Sequence, residues 1–210
     1  MPYGVSVQPD NAAVTAAKSQ LRERLIAARR ARSDDERRAA RVAITGHLLA
    51  GLGDLSCVAA YLPLPTEPLA RELLDHLAAF TRVMVPVVTG AAPLDWCSYP
   101  VPVQRGALGI DDPVGDRLGP DAIGRADAIL VPALAVDRQG HRLGRGGGHY
   151  DRSLDLQARL LDAAPGSPSR RGLRIAVVYD DELLDSVPFD DLDQPVDATV
   201  TPMTGLRSLT

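Results

Sequence analysis

Short apolar segments alternate with amphipathic segments along most of this sequence, and that alternation limits the fold more than any other feature. The apolar segments, typical of buried strands, begin near residues 56, 82, 126, 173 and 197. The amphipathic segments repeat leucines at helical spacing, as at Leu73 and Leu77. Strands and helices in alternation form a mostly parallel sheet with helices on both faces. We therefore predict a three-layer α/β domain.

Capping signals predict where the helices begin and end. A first helix is expected from Ala12 to Arg32. Ser33, with Glu36 three residues later, forms a capping box, so a second helix should begin there and run to about Ala50. A third helix is expected from Thr66, which is a candidate N-cap.

The remaining segments are assigned more coarsely. Residues 89–120 are rich in proline and glycine, and we expect loops around one short strand at 94–99. A strongly apolar strand over 126–136 should run straight into a glycine-rich loop, and a helix over 151–164 should follow that loop. Segment 165–172 is expected to be a surface loop.

Length and charge exclude several classes of protein. From 210 residues we expect one domain over 12–210, preceded by a flexible tail over 1–11. The net charge of −4 disfavours bulk attraction to nucleic acid or to an anionic membrane, and no apolar run is long enough to span a bilayer. The two cysteines lack metal-like spacing, and the first residues lack a signal-peptide pattern. We expect a cytoplasmic monomer.

Arginine supplies almost all of the positive charge. Among 23 basic residues the only lysine is Lys18. Lys18 either survived by chance or occupies a site that needs a compact ammonium rather than a guanidinium fork. On the predicted first helix, Lys18, Arg22 and Arg29 share one face. A solvated charge is the ordinary alternative for Arg22.

The stretch HRLGRGGGHYDR, residues 141–152, places glycines between an apolar strand and a helix. Ligands of parallel sheets bind at the carboxyl ends of strands, and glycines let backbone N–H groups approach a phosphate. Arg142 and Arg145 add donors suited to phosphate oxygens, and Asp151 could share a Mg²⁺ ion with bound phosphates. The loop matches neither the Walker A nor the dinucleotide-binding pattern. A glycine-rich hairpin with a solvated rim is the alternative.

At these residues the sequence resembles the 5-formyltetrahydrofolate cyclo-ligase family, also called 5,10-methenyltetrahydrofolate synthetases. The run VPALAVDRQGHRLGRGGGHYDRSL, residues 131–154, is similar to the signature of that family. Three further blocks agree in order: KSQLR on the first helix, AAYLPLPTE around the first strand, and VPFDDLDQPVDATVT near the end. Together the blocks cover nearly the whole chain after about residue 16.

The resemblance implies a fold and a reaction. The fold would be a three-layer αβα Rossmann-like domain with a mostly parallel sheet, of the NagB/RpiA/CoA-transferase-like type. The reaction would be the ATP- and Mg²⁺-dependent closure of 5-formyltetrahydrofolate, with or without a polyglutamate tail, to 5,10-methenyltetrahydrofolate, ADP and phosphate. It would pass through an N5-iminophosphate, because phosphorylation turns the formyl oxygen into a leaving group. A related small-molecule kinase and a non-catalytic nucleotide-binding protein are the alternatives on this fold.

The resemblance also implies which residues bind the phosphates and the metal. Lys18 and Arg145 would be catalytic, and Lys18 and Arg22 would contact the phosphates of ATP. The ATP loop would comprise Arg142, Gly144, Arg145, Gly146, Gly147, Gly148, His149 and Tyr150. Asp151 and Asp193 would bind Mg²⁺. The folate would contact Leu62, Glu67 and the loop from Arg145 to His149.

Several of these residues have a purely structural alternative. Glu67 could be an acid that stabilises a helix N-terminus, and Leu62 could be an ordinary core residue. Asp193 could belong to an acidic surface loop, since four aspartates crowd that segment. Trp96 is expected in the core rather than in the site. His149 departs from the family, which usually has tyrosine at that position.

Overall fold

The computed structural model describes residues 11–52, 54–106, 111–163 and 172–209. Within these ranges the α-helices are α1 Asn11–Ala31, α2 Asp34–Leu52, α3 Arg71–Ala78 and α4 His149–Asp162. The strands are β1 Cys57–Ala59, β2 Arg82–Val87, β3 Asp95–Tyr99, β4 Val103–Arg105, β5 Asp111–Pro113, β6 Ala128–Pro132, β7 Ala135–Asp137, β8 Arg142–Leu143, β9 Leu173–Val177, β10 Leu183–Leu184, β11 Ala198–Thr201 and β12 Gly205–Ser208. The predicted tail, apart from Asn11, and most of the predicted surface loop at 165–172 lie outside the described residues.

A seven-stranded sheet forms the centre of the protein, in the order β12-β11-β9-β6-β1-β2-β3. The five inner strands run parallel to one another, whereas β12 and β3 pair antiparallel at the two edges. The prediction of a mostly parallel sheet is therefore confirmed. A smaller sheet, β10-β7-β8, and the hairpin β4-β5 stand beside it.

The core has two halves, one on each face of the sheet. On one face, strand residues such as Val58 and Leu130 pack with Ile44 and Leu48 of α2. The α3 leucines belong to the same cluster. The intervening strand residues, such as Ile129, face the opposite side and pack with Leu154 of α4. The alternation of strand side chains thus gives the three layers that the sequence pattern predicts.

The predicted capping box at the start of α2 is present. The Glu36 N–H donates to Ser33 Oγ at 3.2 Å, and the Ser33 N–H donates to Glu36 Oε2 at 2.7 Å. These two bonds satisfy backbone donors that the first turn of a helix leaves open. They also separate α1 from α2, which begins at Asp34.

The prediction that Thr66 caps the third helix is wrong. The helix begins at Arg71, and its N-cap is Ala70, which makes no side-chain capping bond. A turn occupies the preceding residues, because the Glu67 N–H donates to the Leu64 carbonyl at 3.0 Å. Glu67 therefore lies before α3, and its interpretation as an acid at a helix N-terminus is also wrong.

Two further predictions need correction in detail. The apolar run at 126–136 is not one strand: it ends as β6 at Pro132 and resumes as β7, which pairs with β8 and β10 in the smaller sheet. Between them the Leu134 N–H donates to the Leu143 carbonyl at 2.7 Å, so the chain leaves the main sheet. The segment 89–120 contains the β4-β5 hairpin besides the predicted strand.

None of the helices in the described ranges is long and apolar enough to cross a membrane.

We predict that Gly140 is required for the turn between β7 and β8. Its φ is +87°, and a Cβ there would lie 2.3 Å from the carbonyl oxygen of Val196. Gly140→Ala should lower the free energy of unfolding by roughly 2–4 kcal/mol, because the left-handed backbone is strained and the segment that holds Val196, just before β11, must move. Urea denaturation measures the loss.

Gly90→Ala is the matched control. Its φ is +64°, but a Cβ there would meet nothing within 4 Å, so only the backbone strain of about 1 kcal/mol is expected. Equal losses in the two variants would contradict the close approach at Gly140.

Candidate active site

A cavity of about 640 Å³ lies beyond the carboxyl ends of the parallel strands. Residues that follow three of these strands line it: Tyr61 after β1, Val88 after β2 and Ala133 after β6. The glycine loop and the Arg22 side chain of α1 line it as well. This is the edge of an α/β sheet at which ligands bind. Within the described ranges, Lys18 is the one predicted site residue that does not line the cavity.

The glycine loop leads directly into α4. Gly146 has a φ of +99° and Gly148 a φ of +66°, and Gly148 is the N-cap of α4. The helix begins at His149, two residues earlier than predicted, so His149 and Tyr150 belong to its first turn. The loop therefore combines glycine backbone with a helix N-terminus, an arrangement that favours an anion.

Arg22 holds the loop from the side of α1. Its Nε donates to the Gly144 carbonyl at 2.9 Å, and its guanidinium lies against Gly146, where a Cβ would come within 3.5 Å of Cζ. The side chain is half-buried and lines the cavity. It is therefore not a freely solvated charge, which was the alternative from the sequence.

Arg142 and Asp151 form an ion pair in the wall. Arg142 Nη2 donates to Asp151 Oδ1 at 2.7 Å, and the same oxygen accepts the Gln194 N–H at 3.1 Å. The Arg142 side chain is buried, and its Nε has no hydrogen-bond partner among the described residues. Arg142 also lines the cavity, so this buried cation stands next to any ligand bound there.

Lys18 is held by two carboxylates from the segment after β10. Its Nζ lies 2.5 Å from Asp190 Oδ2 and 2.5 Å from Asp193 Oδ2. Burial by itself lowers the pKa of Lys18, but the hydrogen bonds to Asp190 and Asp193 outweigh it and leave the pKa above its ordinary value. The hydrogen bond from Lys18 lowers the pKa of Asp190. Asp193 also lines the cavity, so it is not merely part of an acidic surface loop.

Glu67 is buried in the opposite wall. Its Oε2 accepts the Leu64 N–H at 2.9 Å, and its Oε1 lies 3.5 Å from Arg145 Nε. Glu67 and the glycine loop are therefore neighbours across the cavity. Leu62 lines the same wall and also packs against the main core, and its contact with folate stays a prediction.

Two tyrosine hydroxyls add to the polar lining. The Tyr61 and Tyr150 side chains line the cavity, and both hydroxyls are buried without a hydrogen-bond partner among the described residues. Burial raises the pKa of both tyrosines, so the two hydroxyls keep their protons. The sequence analysis missed Tyr61, because a tyrosine that ends an apolar strand looks like a core residue. Trp96 is fully buried in the core, as predicted.

The comparison with protein-family models decides the family of this chain. The model of the 5-formyltetrahydrofolate cyclo-ligase family matches residues 14–202. The chain belongs to the 5-formyltetrahydrofolate cyclo-ligase family. A cyclo-ligase of Mycolicibacterium smegmatis is 39% identical over 91% of this chain and 97% of that protein. A cyclo-ligase of Escherichia coli K12 is 30% identical over 66% of this chain and 71% of that protein. These relatives are ligases, and this member of the family is an enzyme of the same class.

Solved structures of the cyclo-ligase fold agree with this assignment. A 5,10-methenyltetrahydrofolate synthetase from Aquifex aeolicus superposes with a TM-score of 0.73 at 30% identity, covering 91% of this chain and 92% of that one. A synthetase from Mycoplasma pneumoniae superposes with a TM-score of 0.65 at 21% identity, covering 87% and 96%, and supports the fold alone. The Rossmann-like α/β fold expected from the resemblance is therefore confirmed.

A buried ion pair attaches α1 to this cyclo-ligase site. Arg29 donates to both carboxylate oxygens of Glu182 at 2.7 Å and to the Ala133 carbonyl at 2.6 Å. Both side chains of the pair are 2% exposed. The sequence places Arg29 on the face of Lys18 and Arg22 but does not reveal its partner.

We predict that Glu182→Gln lowers the free energy of unfolding by roughly 3–5 kcal/mol, because the Arg29 charge would stay buried without its counter-ion. Chemical denaturation measures the change. The matched control is Asp35→Asn in the Arg38–Asp35 pair, whose side chains are 74% and 89% exposed. Little change is expected there, since exposed pairs contribute little to stability. A small effect at Glu182 would contradict a tightly held α1.

Proposed function

We propose that the protein converts 5-formyltetrahydrofolate to 5,10-methenyltetrahydrofolate and consumes ATP, with ADP and phosphate as the other products. The observation that carries this proposal is the Glu67–Arg145 contact of 3.5 Å. It joins a buried carboxylate, suited to the amino and ring N–H groups of a pterin, to a cationic glycine loop suited to phosphates. Both halves of the reaction can therefore share one cavity.

The proposed chemistry joins the formyl oxygen to phosphate. That oxygen attacks the γ-phosphorus of ATP, the bond from phosphorus to the bridging oxygen breaks, and ADP leaves. In the resulting N5-iminophosphate the formyl carbon is electrophilic. The N10 amine attacks this carbon and loses its proton, and the C–O bond breaks to release phosphate. Such a transfer needs positioning and charge neutralisation more than a strong base, which fits a lining of arginines.

The lining fits the phosphates of ATP. The glycine backbone at 144, 146, 147 and 148 and the first turn of α4, with His149 and Tyr150, offer close approach and N–H donors. Arg22, Arg142 and Arg145 line the same side of the cavity and can neutralise the charge that develops during transfer. We assign the catalytic role to Arg145, which also reaches Glu67.

The lining also fits Mg²⁺ held by Asp151 and Asp193. Both carboxylates line the cavity, and Mg²⁺ commonly takes one or two carboxylates together with substrate phosphates. The described residues contain no group of three or more metal-ligating side chains, and on this proposal the two aspartates would hold the ion together with substrate phosphates. Bound there, the ion would neutralise phosphate charge.

Lys18 must change partners to serve as a phosphate contact. In the protein alone its ammonium is held by Asp190 and Asp193. If Asp193 held Mg²⁺, it would attract the ammonium less, and Lys18 would be available to a phosphate from the same helix face as Arg22. A cytoplasmic location, a monomeric state and the use of polyglutamylated substrate stay predictions.

We predict that purified protein forms the methenyl chromophore from 5-formyltetrahydrofolate only when ATP and Mg²⁺ are both present. Absorbance in the near ultraviolet follows the product, and released ADP should equal it mole for mole. ADP formation with no chromophore would instead favour a kinase on this fold. ATP binding with neither product would favour a non-catalytic nucleotide-binding protein.

We predict that Lys18→Ala lowers kcat/KM for ATP by roughly ten- to a hundredfold, the cost of one charge-assisted hydrogen bond to phosphate. Lys18→Arg should recover only part of the loss if a compact ammonium is needed. Arg24→Ala is the control, because Arg24 is exposed on the same helix. Steady-state kinetics with varied ATP measure the effect, and wild-type values in Lys18→Ala would contradict the phosphate contact.

A further inference from the structure

The hydroxyl of Tyr61 makes no hydrogen bond to any of the described residues. Tyr61 follows β1, is 4% exposed and lines the cavity, yet none of the described residues offers its hydroxyl a hydrogen-bond partner. Buried polar groups are nearly always paired, and each exception calls for an explanation. Phenylalanine would fill the same space without the cost of an unpaired hydroxyl. The Tyr61 side chain lines a ligand cavity, so a bound ligand can supply the missing partner.

The surroundings of Tyr61 place it at the pterin end of the proposed site. Leu62 and Glu67, which follow Tyr61 in the chain, line the cavity with it, and the Glu67 charge adds to burial in raising the pKa of its hydroxyl. Arg29 is not free to bind a ligand with its Nε and Nη2, because Glu182 and the Ala133 carbonyl occupy them. Tyr150, by contrast, follows the glycine loop in the first turn of α4, on the side of the cavity proposed for the phosphates.

The edge of the pterin ring sets what a neighbour of Glu67 must provide. The amino group and the adjacent ring N–H are donors, and a carboxylate can accept both. The next group along the same edge is the ring carbonyl, which is an acceptor and needs a donor. Tyr61 keeps its proton, because burial raises the pKa of its hydroxyl, so it is a donor beside Glu67.

We propose that the Tyr61 hydroxyl donates a hydrogen bond to the pterin ring carbonyl of the substrate, next to the N–H groups that Glu67 accepts. This inference rests on the proposed function, since it assumes a folate in the cavity. It adds Tyr61 to the residues that recognise the substrate, and it explains why a hydroxyl is kept in an otherwise apolar wall.

The test compares wild type with Tyr61→Phe in the absence of ATP, so that binding is measured without turnover. The dissociation constant for 5-formyltetrahydrofolate, measured by titration calorimetry, should rise roughly three- to tenfold, the range for loss of one neutral hydrogen bond. The dissociation constant for ATP should not change. The melting temperature of the variant should equal or exceed that of wild type, because the removed hydroxyl has no partner in the protein.

A matched control separates ligand recognition from the general effect of removing a buried hydroxyl. Thr199 in β11 is 1% exposed, its Oγ1 has no partner among the described residues, and it does not line the cavity. Thr199→Val should likewise keep or raise the melting temperature, and it should leave the dissociation constant for folate unchanged. An equal rise of the dissociation constant for folate in both variants would overturn the proposal.

Infrared difference spectra identify the atom that Tyr61 contacts. Folate labelled with carbon-13 at the ring carbonyl should show that stretch at a higher wavenumber in Tyr61→Phe than in wild type. An unchanged stretch or an unchanged dissociation constant would overturn the proposal while the proposed function stands. A lowered melting temperature would show a structural role and overturn it too. Failure of wild type to bind 5-formyltetrahydrofolate at all would instead overturn the proposed function, and this inference with it.

Discussion

The buried ion pair between Arg29 and Glu182 is the interaction on which the geometry of the cavity depends. It ties α1 to the segment after β9. Arg29 also donates a hydrogen bond to the Ala133 carbonyl, which follows β6. Leucines of α1 and of the β7-β8 unit pack around the same junction. Breaking such a pair leaves a charge in a site that water does not reach, so α1 cannot rotate or slide at low cost. Because Lys18 and Arg22 lie on the same face of that helix, their positions at the site follow from this one contact.

Three cations of the site are paired with carboxylates in the protein alone, and this pairing limits how the site can work. Arg142 pairs with Asp151, Lys18 with two aspartates, and Arg145 lies near Glu67. Asp151 and Asp193, the carboxylates proposed for the metal ion, thus pair with Arg142 and Lys18, two of the cations proposed for phosphate. On the proposed function, a metal–nucleotide complex would exchange these partners instead of adding uncompensated charge. Such an exchange keeps the desolvation cost of each partly buried group low in both states.

The sequence predicts the features that depend on periodicity and misses those that depend on a single bond. Alternating apolar segments predict the parallel sheet and its loop, because burial on both faces imposes that pattern. The start of α3 is mispredicted, because a turn closed by the Glu67 N–H and side chain overrides the capping preference of Thr66. The strand ends at Pro132 although the apolar residues continue, so the hydrophobicity pattern does not predict this break. Tyr61 is missed for a related reason, since only the structure shows that its hydroxyl has no partner.

The lone lysine shows how composition and geometry can answer one question together. In a chain that otherwise uses arginine, chance alone could explain one lysine at position 18. In the structure, two carboxylate oxygens lie 2.5 Å each from the single Nζ of Lys18, and this lysine is 7% exposed. An ammonium is a compact donor with three N–H bonds, whereas a guanidinium spreads its donors over a longer planar fork. The carboxylates of Asp190 and Asp193 therefore suit the compact ammonium of lysine, independent of any ligand.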